Sequence, residues 1–208
     1  MTPLLVALLL VLLLPMFAAS WRANLLGLAG QGLLSAWIAW RLHGCHGASD
    51  VLTYVDLVLV RGLFAPLALR QVLAAHRASP RHDVIPPNLL SWALAFAVVV
   101  LAFPFAEALE PKPGQAQALV AVATACLLLG FLVLATEPRP SGQVVGALRI
   151  ENAIALFELG GEHHWPIGVQ AGQVAVVVMT IALYRWYLDR LALGGEGRGS
   201  AGPEGPTL

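Results

Sequence analysis

Charged side chains are scarce in this sequence, at 12% of 208 residues, where soluble globular domains carry about 25%. Cysteine is scarcer still: Cys45 and Cys126 are too few and too far apart for a disulfide framework or a zinc site. No stretch resembles a nucleophile elbow, a phosphate-cradling loop, a haem-binding pattern or an iron–sulfur cysteine set, so no redox centre is visible in the chain. The formal net charge is zero, which gives no electrostatic footprint for nucleic acid or for an acidic soluble partner.

What fills the sequence instead is apolar. Hydrophobic residues make up 58% of the chain and the mean hydropathy is +0.76. A soluble core could not hide that much apolar surface, so the solvent for most side chains must be lipid. A bilayer core of about 30 Å takes roughly 20 apolar residues per helix. The runs 3–19, 23–43, 51–75, 89–109, 116–136, 142–160 and 166–189 meet that need. The expectation is an all-α polytopic membrane bundle of about seven spans.

The breaks carry turn chemistry: Ser20-Trp21-Arg22, His43-Gly44-Cys45-His46-Gly47, His76 to Asp83 closed by Pro86-Pro87, Glu110 to Gly114, and Glu137 to Gly142. The Gly/Pro/Glu-rich tail from Gly194 to Leu208 is expected to be disordered. Phe17-Ala18-Ala19-Ser20 faintly resembles a signal cleavage site, but Met1-Thr2-Pro3 offers no basic flank, so the first span is expected to stay. With the N-terminus outside, the inner segments hold Arg22, Arg77, Arg81, Arg139, Arg190 and Arg198, against Lys112 and a juxtamembrane Arg41 outside. The positive-inside rule therefore favours N-out, C-in.

Small and polar residues suggest how the helices approach. Ala23, Gly27 and Gln31 recur at four-residue spacing, a pattern of close contact in lipid with polar side chains bonding across. Spans one to three and five to seven would both start outside, so a parallel repeat is expected, with Gly27-x3-Gln31 matching Gly146-x4-Glu151 one residue out of register.

Ionisable residues at mid-membrane are costly and face an interior or a water path. Glu151 is the strongest, about 15 Å of helix from either end of its span at 1.5 Å per residue. Desolvation there disfavours the charged form, so the carboxyl is either protonated or paired. It serves either as a proton relay or as a buried structural hydrogen bond. Arg149 is about 200° away round the helix, so its partner is expected on another helix or subunit. Glu158 shares the face of Glu151 near the outer end and is expected to be interfacial and solvated, the other reading being a second proton step. In the third span, Asp56 and Arg61 lie about 140° apart on an ideal α-helix. A good pair between them is not expected, and Arg61 should neutralise a carboxylate on a neighbouring helix. Arg70 is near the inner end and can snorkel. His43, Cys45, His46 and Glu162-His163-His164 share the outer side and carry metal-ligating atoms, but their spacing fits no familiar site and they read as solvated loop residues.

The segment Gly130–Tyr184, with Gly146-x4-Glu151-Asn152 after a proline/arginine loop, resembles the middle of subunit K (chain 4L) of complex I, a three-helix subunit with a buried glutamate on its second helix. The longer architecture resembles component E of the hydrogenase-4 and formate hydrogenlyase type membrane hydrogenases. Ser20-Trp21-Arg22 to Gly27-x3-Gln31, and Arg61-x4-Pro66, carry that likeness in the front half. The resemblance divides the chain into a four-helix segment over 1–110, a three-helix segment over 111–193 and the tail over 194–208. It implies a non-catalytic proton-path subunit in the membrane arm of a respiratory-type [NiFe] hydrogenase or related oxidoreductase of the inner (plasma) membrane. Nickel–iron and iron–sulfur centres would sit in peripheral partner subunits, with none in this chain, and antiporter-like and anchor subunits would lie alongside in the bilayer. Glu151 would be the relay carboxylate, Asn152 a supporting hydrogen bond and Arg61 the basic partner, with Asp56, Arg149, Glu158 and Gln173 along the path. One departure matters. Where subunit K has a second buried glutamate, this chain has Gln170-Ala171-Gly172-Gln173-Val174, and glutamine cannot hold a proton as an acid. The alternatives are a subunit of a cation/proton antiporter, which shares the three-helix unit, and a purely structural anchor.

Overall fold

The computed structural model describes residues 2–17, 21–44, 47–75, 89–136, 140–160 and 166–196. Their regular structure is all helical: α1 (Thr2–Phe17), α2 (Trp21–His43), α3 (Ala48–Tyr54), a π-helical segment (Val55–Phe64), α4 (Ala65–Ala75), α5 (Leu89–Leu109), α6 (Gln115–Thr136), α7 (Pro140–Gly160) and α8 (Ile167–Glu196). The helices coincide with the apolar runs to within a few residues, except that α8 continues into the stretch read as tail. Trp21 and Arg22 open α2 instead of forming a turn. Pro140 opens α7, a position where its missing N–H costs nothing. Cys45, His46, Arg77, Arg81, Arg139, Glu162–His164 and Arg198 lie outside the described residues.

Among the described residues, four stretches are long and apolar enough to cross a membrane: Ser49–Ala74, Trp92–Leu109, Gln115–Thr136 and Ile167–Arg190. The protein is thus a helical bundle suited to a membrane. α1 has a shorter apolar stretch, Pro3–Leu13. Apolar side chains are diluted on α2 by Asn24, Gln31 and Ser35, and on α7 by Arg149, Glu151, Asn152 and Glu158. Several of those polar groups are buried, Gln31 and Ser35 at 1% exposure, Arg149 at 2% and Asn152 at 4%. The least apolar helices sit at the centre because they carry the polar interior.

The helices pack as two groups. α1 packs on α2, and α2 on the α3–π–α4 column; α6 packs on α7, and α7 on α8. Across the groups α1 meets α6, α2 meets α7, and the column meets α8, while α5 lies against α6. Backbones touch at two places. A Cβ on Gly32 would stand 2.7 Å from the Gly62 nitrogen, joining α2 to the π segment. A Cβ on Gly146 would stand 3.1 Å from Leu134 N and 3.2 Å from Gly130 O, joining α7 to α6. Such contacts without side chains between are how helices associate in lipid. Ala23, Gly27 and Gln31 are all buried, as their stripe suggests, but the closest approach of α2 is one residue on, at Gly32.

A polar cluster around a π-helical turn

The π segment decides the site. Ala65 N–H bonds to Val60 O, five residues back, which is π-helical winding. Pro66 follows directly; it has no N–H to give, and in an α-helix its ring would press on the carbonyl of Gly62, four residues earlier. Wider winding ahead of a proline relieves that clash. Burial follows the same repeat: Asp56, Leu57, Arg61 and Gly62 are the buried residues of the segment, two pairs spaced by five. In α4 the buried positions Ala65, Leu69, Val72 and Leu73 return to α-helical spacing.

Residues five apart therefore stack, and Arg61 Nε bonds Asp56 Oδ2 at 2.7 Å. This corrects the reading from an ideal α-helix, which kept the two apart and sent Arg61 to a carboxylate on another helix. Arg61 does reach across, but to an amide: its Nη1 donates to Asn152 Oδ1 on α7 at 3.2 Å. Arg61 is 1% exposed and Asp56 8%. Glu151, one residue before Asn152, is partly buried and forms no salt bridge among the described residues. The charges it feels are those of Arg61 and Asp56. Three further atoms of the cluster, Asp56 Oδ1, Arg61 Nη2 and Asn152 Nδ2, are buried without a protein partner.

A second cluster adjoins it. Gln170 Nε2 on α8 donates to Glu158 Oε1 at 3.2 Å, Ser49 Oγ at 3.1 Å and Thr53 Oγ1 at 3.4 Å. Glu158 is therefore partly buried and bonded to the facing α8. A recess of about 270 Å³ lies between the clusters, with Asp56, Thr53, Glu158, Gln170 and Gln173 on its walls. The Gln173 Nε2 is buried there without a protein partner. A second recess, of about 300 Å³, shares Thr53 and Glu158 and continues to His43 and Asp50 at the ends of α2 and α3. Two neighbouring recesses thus place His43, Asp50, Thr53 and Glu158 on one wall set and Thr53, Glu158, Gln170, Gln173 and Asp56 on the next, and Asp56 leads by hydrogen bonds to Arg61 and Asn152.

Arg149 stands apart. Its Nη1 donates to Leu12 O of α1 at 3.4 Å, and the Cys126 thiol is beside it, donating to the Arg149 carbonyl at 4.0 Å and accepting from Gln31 Nε2. The guanidinium's partner on another helix is a backbone carbonyl, with no carboxylate among the described residues, and Nε and Nη2 take none. Of the residues read from the sequence, Asp56, Arg61, Glu151 and Asn152 come together; Glu158 and Gln173 join through Asp56; Arg149 does not. Ser49 and Thr53 were overlooked, although Ser49, Thr53 and Asp56 lie at i, i+4 and i+7, a polar stripe along one helix face.

The arrangement can hold a proton at Glu151 or Glu158, place a fixed positive charge at Arg61 within reach of Glu151 and pass hydrogen bonds through hydroxyls and amides. The chain matches no protein-family model, no curated protein and no solved structure.

Proposed function

We propose that this chain is a non-catalytic, proton-path subunit of the membrane arm of a respiratory-type complex, a membrane-bound [NiFe] hydrogenase or a related oxidoreductase. One observation carries the reading: a partly buried carboxyl, Glu151, in an otherwise lipid-suited bundle, beside the Asp56–Arg61–Asn152 cluster and connected by polar groups to Glu158. A carboxyl in hydrocarbon without a purpose is an expensive residue. Buried polar atoms left without protein partners are the kind that ordered water satisfies. Glu151 loads the proton, Arg61 tunes it through a charge held in place by Asp56, and Glu158 exchanges with the aqueous side through the recess at His43 and Asp50. Gln170 and Gln173 stand in for the missing second acid as hydrogen-bond carriers. In this reading α1, α2, the α3–π–α4 column and α5 to α8 make seven spans, with the N-terminus outside and the C-terminus cytoplasmic in the inner membrane. The exposed apolar side chains of α5 and α8, such as Phe96, Phe103, Met179 and Trp186, face lipid and the neighbouring antiporter-like and anchor subunits. Peripheral partners hold the nickel–iron and iron–sulfur centres.

The test is the purified complex in proteoliposomes, with proton uptake followed beside hydrogen or quinone chemistry. Glu151→Gln is expected to leave the complex assembled and to cut proton movement per turnover; Glu151→Ala adds some loss of packing. Unchanged coupling in Glu151→Gln would leave only a structural hydrogen bond, favouring the anchor reading. Cation exchange by the chain and its partners, with no iron or nickel co-purifying, would favour the antiporter one.

A further inference from the structure

The recess of about 270 Å³ between the two polar clusters is walled by oxygen-bearing side chains and, among the described residues, by no basic one. It has room for little more than one water-sized body. Asp56 turns one carboxylate oxygen, Oδ2, to Arg61 and leaves Oδ1 buried without a protein partner. Gln170 is 6% exposed. Its nitrogen is committed to Ser49, Thr53 and Glu158, and its Oε1 is buried with no partner. Thr53 gives its hydroxyl proton to the carbonyl of Ser49, so what it presents to Gln170 and to the recess is lone pairs. The Gln173 Nε2 is buried and unpartnered as well. The torsion that sets a terminal amide is broad and two-fold, so a half-turn of Gln173 puts its oxygen there instead. Glu158 is already engaged; the open acceptors are those of Asp56 and Gln170.

We propose that this recess binds one desolvated sodium ion, coordinated by Asp56 Oδ1, Gln170 Oε1, Thr53 Oγ1 and the turned amide oxygen of Gln173. Acceptors without donors select a cation. A buried oxygen left unpaired is costly, and inside a membrane protein a ring of oxygens can replace an ion's hydration shell. A water molecule has two protons and serves two of these oxygens; an ion serves all four. The ligand set also selects the charge. Among the described residues no three His, Cys, Asp or Glu side chains converge. Zinc, which takes nitrogen and sulfur, and calcium, which takes several carboxylates, therefore lack their ligands. One open carboxylate oxygen among neutral oxygens matches a single positive charge. The site stands apart from the proton reading, since nothing in it needs Glu151.

The experiment is equilibrium binding of radioactive sodium to the purified full chain in mild detergent, against a background of potassium chloride. Saturable uptake of one sodium per chain is expected. Gln173→Leu, which removes an amide whose Nε2 holds no protein partner, should weaken binding about ten-fold, the loss of one contact to a charge. Thr53→Val keeps the shape, removes the lone pairs and should weaken it similarly, while Thr53→Ser should keep it. Asp56→Asn should abolish it. Circular dichroism and gel filtration check that each variant is folded, and Gln173→Leu and Thr53→Val decide the matter if Asp56→Asn, which strands Arg61, is not. No saturable sodium binding by the unmodified chain would overturn the proposal and leave water as the occupant. Undiminished binding in folded Gln173→Leu and Thr53→Val would overturn it too, by placing the ion elsewhere. No turnover enters this measurement, so its failure leaves the proton reading standing.

Discussion

Arg61 and Arg149 are both almost fully buried, yet they are held in opposite ways. Arg61 has the carboxylate of Asp56 at 2.7 Å; the Arg149 guanidinium has one backbone carbonyl and two nitrogens without a partner. Removing one member of a buried ion pair strands the other, at about 3–5 kcal/mol. Replacing a buried charge that lacks a counter-charge with an apolar chain of similar length is often neutral or stabilising. Arg61→Met is therefore expected to lower the thermal midpoint in detergent sharply, and Asp56→Leu with Arg61→Met to recover much of the loss. Arg149→Met is expected to leave the midpoint unchanged or raised. A double-mutant cycle on Asp56 and Arg61 with no coupling would mean that the pair contributes nothing. At this scale the sequence was half legible: an acid and a base deep in one span are visible to anyone. Their pairing is hidden, because any estimate at 100° per residue rotates them apart.

Among the elements, helix positions could be read closely because apolar run length is set by bilayer thickness; the run 89–109 and α5 share both ends. The π segment could not, since its cause is distributed. It requires Pro66 to withhold a donor, Gly62 to take the contact and α2 to press at Gly32, and only the last two meeting in space makes the wider turn worth keeping. Gly32→Ala is expected to destabilise the bundle by about 1–3 kcal/mol, as overpacking does, because its Cβ would stand 2.7 Å from backbone nitrogen and backbone has little room to give. Gly172→Ala, where nothing lies within 4 Å, should be neutral or stabilising by about 0.5–1 kcal/mol through helix propensity alone. Chemical unfolding in detergent separates the two. Equal responses would show that α2 and the column are not in backbone contact.

For the molecule as a whole, the proposed N-out orientation is one that labelling can check. In a Cys45→Ser background, a cysteine at Ala48 is expected to react with a membrane-impermeant maleimide from outside, and a C-terminal reporter to be cytoplasmic. Labelling of Ala48→Cys only after the membrane is opened from the inner side would remove both the seven spans and the N-out orientation. The stacking of α1 on α6, α2 on α7 and the column on α8 was not legible in any single motif, since long-range order leaves no mark on one run of sequence. Four residues of polar chemistry, Asp56, Arg61, Glu151 and Asn152, tie those layers together through one hydrogen bond between Arg61 and Asn152.

The Asp56–Arg61 contact also has a meaning in time. A ribosome delivers the candidate span Ser49–Ala74 long before Asn152 or Glu151 exists, and on insertion scales a lone arginine or aspartate at mid-span opposes partitioning by about 2.5–3.5 kcal/mol. A pair five residues apart on one segment travels with its own counter-charge, so the segment can leave the translocon without waiting for the second half of the protein. Arg149 arrives late, and its acceptor, the carbonyl of Leu12, belongs to α1, which is made well before it. Each buried guanidinium thus meets a partner that is already there when it enters the bilayer.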